Sequence, residues 1–363
     1  MMKQSLLALT VLAALSGCSL DGDDGAQGPV GEVGAPGTPG DDGKNLPREL
    51  DIAVVGRFNT GIYGQSAAEI VQFHKASKSA FAINAAQNRI EVIPLSALPV
   101  TSVGSPVSDD SLTSTAFTFP DNVTVKNAAG SDITVNLGEA NSIAIYADML
   151  AIAVAAPLKT DNGAVLFYSL SATGVGTFVK AVSVGALPDM VTFTPDGSML
   201  LVANEAEPES DYSVDPEGSV GIIAITAGVA ADQATLLNFS AFNADQAKLK
   251  AQGVKFAAPV GTTVAQDLEP EYITVSSDSK KAFVSLQENN ALAIVDLAGK
   301  EITKVVCPCN SLYSFTAMSS ISFSEPTPLI FLFFTFLKYR LKVFIEGWIV
   351  LVNLSFKDLG ERL

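Results

Sequence analysis

The sequence predicts an all-β protein built as a β-propeller, with about four recognisable blades, on three observations. Residues 69–95 (EIVQFHKASKSAFAINAAQNRIEVIPL) and 271–297 (EYITVSSDSKKAFVSLQENNALAIVDL) align without a gap at an offset of 202, with seven of 27 positions identical. Both copies read strand, polar turn, strand, Asn-containing turn, strand, with β-branched and aromatic residues between fixed turn positions. Two looser copies lie between them. Residues 188–225 carry the turn Thr194-Pro195-Asp196-Gly197 and a long acidic insertion before the third strand, and residues 141–170 carry Asp161-Asn162-Gly163. Each blade exposes an apolar face that only a neighbouring blade covers, so an isolated blade is not expected to fold. A β-sandwich leaves the gapless match across 202 residues unexplained.

The chain opens with a segment of another kind. Residues 1–17 read as a signal peptide, with Lys3 as the positive start and an apolar core from Leu6 to Leu15, too short for a mature membrane span. Leu15-Ser16-Gly17-Cys18 resembles a bacterial lipobox, which makes Cys18 the lipidated first residue of the mature chain and its membrane partner. Ser19 after the Cys points to the outer membrane. From residue 18 to 46 a spacer follows, with eight consecutive Gly-X-Y triplets from Gly22 to Asn45. Only Gly fits a triple-helix axis, so the period is collagen-like. With three prolines in the triplets, an extended spacer is the expected form and a trimer the alternative.

The propeller domain is expected over residues 50–306. Within it, residues 109–138 read as a pair of β-hairpins, and Ala172–Val179 as a hairpin turn. Ala241–Gly253 (AFNADQAKLKAQG) reads as an amphipathic helix inserted between blades, with Gly253 as its stop. Residues 307–363 differ in composition. They hold 5 Lys+Arg against 4 Asp+Glu, whereas residues 1–306 hold 17 against 34, and they carry 11 of the aromatics, including Trp348. The change falls inside a strand pattern at Val305-Val306, so the tail is read as foreign to the propeller, a possible frameshift product. Its longest uncharged apolar stretch, Pro328–Leu337, is about half a membrane span. Cys307-Pro308-Cys309 lacks redox or zinc spacing and is given no role.

Four stretches carry a family likeness: Asp51–Glu69 (DIAVVGRFNTGIYGQSAAE), Val184–Glu207 (VGALPDMVTFTPDGSMLLVANEAE), Val214–Gly218 (VDPEG) and Ala265–Asp296 (AQDLEPEYITVSSDSKKAFVSLQENNALAIVD). With these, residues 50–306 resemble the choice-of-anchor I domain family. The resemblance implies a seven-bladed type of propeller on a surface or secreted protein with variable anchoring. It also implies a possible hydrolytic setting, since some relatives are described as alkaline phosphatases or stand beside phytase-like modules. This chain departs from the family pattern in showing about four blades and then an unmatched tail.

The net charge of −16 removes nucleic acid from the expected partners, because phosphate binding needs a basic surface. One histidine, His74, rules out sites that need two imidazoles, and it is expected in an exposed turn. No G-x-S-x-G elbow, P-loop or G-x-G-x-x-G is present. Aligning the copies places Glu69, Asn141, Asp189 and Glu271 at one equivalent position, the start of each first strand. In a propeller these would ring one mouth of the channel, an oxygen-rich set suited to calcium. The plainer reading is that each caps a turn or pairs with the next blade. The insertion Asn204–Gly218 adds Glu205, Glu207, Glu209, Asp211, Asp215 and Glu217, which are either solvated or bound to a hard cation.

The expected function is a lipid-anchored surface module that binds an unknown ligand or protein, with structural calcium. Two alternatives stay open: a calcium-dependent phosphoesterase, for which the repeats place no basic clamp at the mouth, and a non-functional truncated product.

Overall fold

A computed structural model describes residues 51–68, 70–99, 101–105, 108–308 and 348–355. Cys18, the Gly-X-Y spacer and Glu69 lie outside the described residues. The protein is all-β apart from short helical turns.

Strand β1 (Asp51–Asn59) precedes the first repeat. The first sheet runs in the order β2 (Val71–His74), β3 (Ser79–Asn84), β4 (Arg89–Pro94), β5 (Thr115–Thr118). The segment 109–138 therefore divides differently from the two hairpins expected. Strand β5 joins the outer edge of the first sheet, where Phe117 packs 5.3 Å from Tyr168, and only β6 (Asn122–Lys126) and β7 (Asp132–Asn136) form a hairpin. The second sheet is β8 (Ala140–Tyr146), β9 (Met149–Val154), β10 (Asn162–Leu170) and β11 (Gly176–Ala186). The third holds β12 (Pro188–Phe193), β13 (Met199–Asn204), β14 (Ser219–Thr226), β15 (Val229–Ala230) and β16 (Thr235–Asn238). The fourth is β17 (Ile273–Val275), β18 (Lys281–Leu286), β19 (Ala291–Asp296) and β20 (Glu301–Val306). Strand β21 (Trp348–Ser355), from the compositionally distinct tail, pairs antiparallel with β1.

All four large sheets are antiparallel, and in each the first strands follow one another in chain order. The gapless repeat is visible strand by strand. Strands β3 and β18, and β4 and β19, begin and end at positions 202 residues apart. The sheets pack in succession: β8 against β2 and β3, β12 against β8 and β9, and β17 against β12 and β13. Apolar layers fill the seams. Phe81, Ile90, Ile143 and Ile152 share one cluster, Ala151, Phe167, Val191 and Val202 a second, and Leu201, Val220, Val284 and Ala293 a third. A sheet covered on both faces reads as a continuous apolar run, which is why β9 (MLAIAV) shows no strand alternation.

The expected helix is shorter than its pattern. Ser240–Asp245 forms 3-10 turns and only Gln246–Ala251 is α-helical. Asn243 and Asp245 carry short polar side chains that compete with helical bonding, and the Asn243 side chain accepts from the Ala265 N–H at 3.0 Å. Gly253, at φ 98°, ends it as expected. Among the described residues no helix is long and apolar enough to cross a membrane. Cys307, given no role by its spacing, is disulfide-bonded.

Candidate functional site

One end of the third and fourth sheets gathers carboxylates from separate parts of the chain. Asp189 opens β12, Glu205 follows β13, Glu271 precedes β17, and Glu269 lies two residues before it. The backbone explains the meeting. Glu205 N–H bonds Leu187 O at 2.9 Å, which brings the start of the acidic insertion beside Asp189. Glu271 N–H bonds Ser285 O at 3.0 Å, which fixes it at the edge of the fourth sheet. The short helix Val264–Asp267, closed by a Thr263–Gln266 capping box, then ties both parts together. Gln266 Nε2 donates to Asp215 O at 2.9 Å, and Gly218 N–H donates to Ala265 O at 3.0 Å.

Asn289 is buried and organises the far wall. Its amide donates to the Asp267 carboxylate at 3.0 Å and to the Asp267 and Lys255 carbonyls, while its oxygen accepts from Glu269 N–H. The Asp267 carboxylate also accepts from the Ala257 and Ala258 N–H groups. These groups bound a cavity of about 270 Å3 lined by Glu205, Glu207, Tyr212, Gln266, Asp267 and Glu269, among others.

Electrostatics mark the cluster. Burial pushes the Glu205 carboxyl up to about 8, and repulsion from Asp189, Glu207, Glu271 and Glu269 adds to it. Glu269 and Glu271 are pushed up to about 7, again by burial first and by neighbouring carboxylates second. Asp215 is raised by burial and by Asp267. Glu205, Glu269 and Glu271 make no side-chain hydrogen bond or ion pair among the described residues, although their carboxyls are half-buried. Lys159, from the second sheet, answers part of the charge. Its Nζ lies 2.8 Å from Glu207 Oε2, and that contact raises the lysine above its ordinary range. Among the described residues, no three His, Cys, Asp or Glu side chains are arranged to hold a metal ion.

Of the residues singled out in the sequence, Asp189, Glu205, Glu207 and Glu271 fall in this one cluster. Asn141 does not join it through its side chain: its amide donates to Pro188 O at 3.1 Å, a pairing with the adjacent sheet. Asp211 stays exposed in the insertion, its carboxyl lowered by hydrogen bonds from Ser213. Sequence reasoning missed Lys159 and Asn289. Lys159 lies outside the aligned first strands, and Asn289 sits in a turn whose copy in the first repeat is Gln87.

His74 is a correction. It is 1% exposed rather than in an open turn. Its Nδ1 is 2.9 Å from Ser77 Oγ and its Nε2 3.0 Å from Asp148 Oδ1, with Phe81 edge-on at 6.0 Å. The seam between the first two sheets closes over the ring, which the sequence of a single repeat does not reveal.

The fold and this cluster define an all-β protein of repeated four- and five-stranded antiparallel sheets with an acidic cavity at one end of the third and fourth. The choice-of-anchor I domain matches residues 69–308, and the chain belongs to that family. No curated protein matches it. Among solved structures, the chain is similar to hydrazine synthase of Kuenenia stuttgartiensis, at 13% identity and TM-score 0.33, over 63% of this chain and 64% of that one. It is also similar to the Swd1 β-propeller domain of Myceliophteria thermophila, at 11% identity and TM-score 0.37, over 66% and 55%. A third likeness is to the periplasmic gluconolactonase PpgL of Pseudomonas aeruginosa, at 14% identity and TM-score 0.27, over 56% and 66%. The chain spans between about half and two thirds of the length of these structures.

Proposed function

We propose that the chain is a surface β-propeller module, held to the outer membrane through lipidated Cys18 and lifted from it by the Gly-X-Y spacer, that binds a ligand at its acidic end with calcium as resident ion. The four large sheets serve as blades. The lipobox residues and the triplet period support the anchoring.

The observation that carries the binding role is the meeting of Asp189, Glu205, Glu269 and Glu271, which come from distant parts of the chain and repel one another at half-buried positions. Repulsion of this kind costs stability unless a cation or protons offset it. The donors are all oxygen, which suits a hard cation, and calcium tolerates irregular coordination. Their carboxylates must rotate inward for any three to share one ion, which a half-exposed glutamate does at small cost.

Differential scanning calorimetry of the full chain in chelator and in excess calcium tests the reading. Calcium is expected to raise the melting temperature. Glu205→Gln with Glu271→Gln is expected to remove that rise, while Glu209→Gln with Asp211→Asn leaves it in place. No rise in the unaltered chain takes calcium out of the account, and the opposite order of the two double variants moves the ion into the exposed part of the insertion. The second reading, a calcium-dependent phosphoesterase, draws on Glu269 and Glu271 near neutrality, where a carboxyl serves as general acid or base. It is the weaker one, because Lys159, the lysine in contact with this cluster, is already engaged by Glu207.

A further inference from the structure

A larger cavity, of about 600 Å3, opens between the second and third sheets at the strand ends opposite the acidic cluster. Its floor is apolar and aromatic, with Phe167 and Phe193 buried. One wall is the ring of Tyr146, 39% exposed and 5.8 Å from Phe193 at a tilt of 40°. That ring is held in place by Gly197, where an added Cβ would stand 2.2 Å from its Cε1. The facing wall is the β14–β15 hairpin, whose turn residues Ala227 and Gly228 have φ 48° and 74°. Lys180 fastens this hairpin, donating to Ala230 O at 3.0 Å and pairing with Asp232.

The polar groups at the rim are unequal. Asp148 gives Oδ1 to His74, and Asp196 gives Oδ1 to Thr194 and Ser198. Asp148 Oδ2 accepts no hydrogen bond among the described residues, whereas the Ser279 hydroxyl joins Thr194 and Ser198 at the Asp196 carboxyl. Hydrogen bonds from Thr194 and Ser198 hold the Asp196 carboxyl down at about 2, so it stays ionised. Lys180, the one lysine lining the cavity among the described residues, is already matched by Asp232. The cavity thus offers aromatic faces and two carboxylates at its rim, and among the described residues its one lysine is already paired. Its size is that of a small-molecule site, and aromatic faces with carboxylates attract organic cations, not anions.

We propose that this cavity binds a small organic cation with an apolar body, its apolar part against Phe167 and Phe193 and its ammonium group between Asp148 and Asp196. Isothermal titration of the full chain with phenethylammonium, and separately with phenylacetate, tests it. Saturable binding of phenethylammonium without binding of phenylacetate is expected. Val179→Lys places a cation on an exposed strand position that lines the cavity, and is expected to weaken phenethylammonium by about tenfold while leaving the melting temperature unchanged. Ser169→Phe is expected to fill the space and abolish binding; if that variant fails to fold, Val179→Lys decides alone. Equal binding of the two probes, no saturation at millimolar phenethylammonium, or affinity indifferent to Val179→Lys each overturns the proposal.

Discussion

His74 Nε2 lies 3.0 Å from Asp148 Oδ1 and so joins the first sheet to the second across their seam. The other seams carry ties of the same kind. Asn141 donates to Pro188 O, Ser142 Oγ accepts from Val191 N–H at 3.2 Å, and Ser279 Oγ accepts from Asp196 N–H at 3.2 Å. Apolar packing is non-directional and sets how closely the sheets approach, whereas these polar contacts fix their registration.

The histidine tie is open to measurement by urea denaturation. Asp148→Ala removes a mostly exposed acceptor and is expected to cost about 1 kcal/mol. His74→Ala removes the same bond and also empties a buried ring site against Phe81, so about 2–4 kcal/mol is expected. The double variant is expected to lose less than the sum of the two. Full additivity would mean that the contact contributes nothing to the folded chain.

The acidic cavity sets a pH dependence. Glu205 sits at about 8 and Glu269 and Glu271 at about 7, all above the ordinary 4.5. Between about pH 5 and 8 the folded chain therefore binds more protons than the unfolded one, and stability falls as pH rises through that window. Melting temperature measured from pH 5 to 9 is expected to decline, and Glu205→Gln to flatten the decline. Saturating calcium is expected to flatten it too, because a bound cation lowers the folded-state values. A melting temperature that climbs over this range would contradict the placement of these carboxyls.

Much of this was legible in the sequence for a physical reason. Strand ends and turns are written in local chemistry, so the copies at 69–95 and 271–297 mark β3, β4, β18 and β19 at matching positions. The acidic insertion and the first-strand carboxylates were visible as separate features. Their union was not, because it depends on the Gln266–Asp215 and Glu205–Leu187 contacts between segments far apart in sequence. The burial of His74 was hidden likewise, since Asp148 belongs to another repeat. The helix fell short because an apolar period says nothing of where Asn243 finds its partner.

Asn88 and Asn290 are identical across the repeat because both adopt left-handed backbone, φ 46° and 52°. Asn tolerates this conformation and a β-branched residue does not. Asn88→Gly is expected to leave stability nearly unchanged, and Asn→Val at either position to cost about 1–2 kcal/mol; the Asn290 side chain also donates to Cys307 Sγ at 3.5 Å, so Asn290→Gly loses that contact as well. Equal effects of Gly and Val at one site would show that its side chain, not its backbone, matters there.

Gly218 links the strand that follows the acidic insertion to the wall of the cavity. An added Cβ there would stand 2.0 Å from Leu268 O and 2.8 Å from Pro270 Cδ, a backbone carbonyl and a ring that cannot rotate aside. Either β14 or the segment 265–271 must shift, and the second carries Asp267, Glu269 and Glu271. Gly218→Ala is thus expected to do two things together: lower stability by about 1–3 kcal/mol through overpacking, and weaken the calcium-dependent rise in melting temperature by displacing carboxylates rather than removing them. Gly228→Ala is the control, since its turn has nothing within 4 Å of an added Cβ and its φ of 74° carries the strain alone. It is expected to lower stability with the calcium response intact. If both variants keep that response in full, the approach of Gly218 to Leu268 has no part in shaping the cavity.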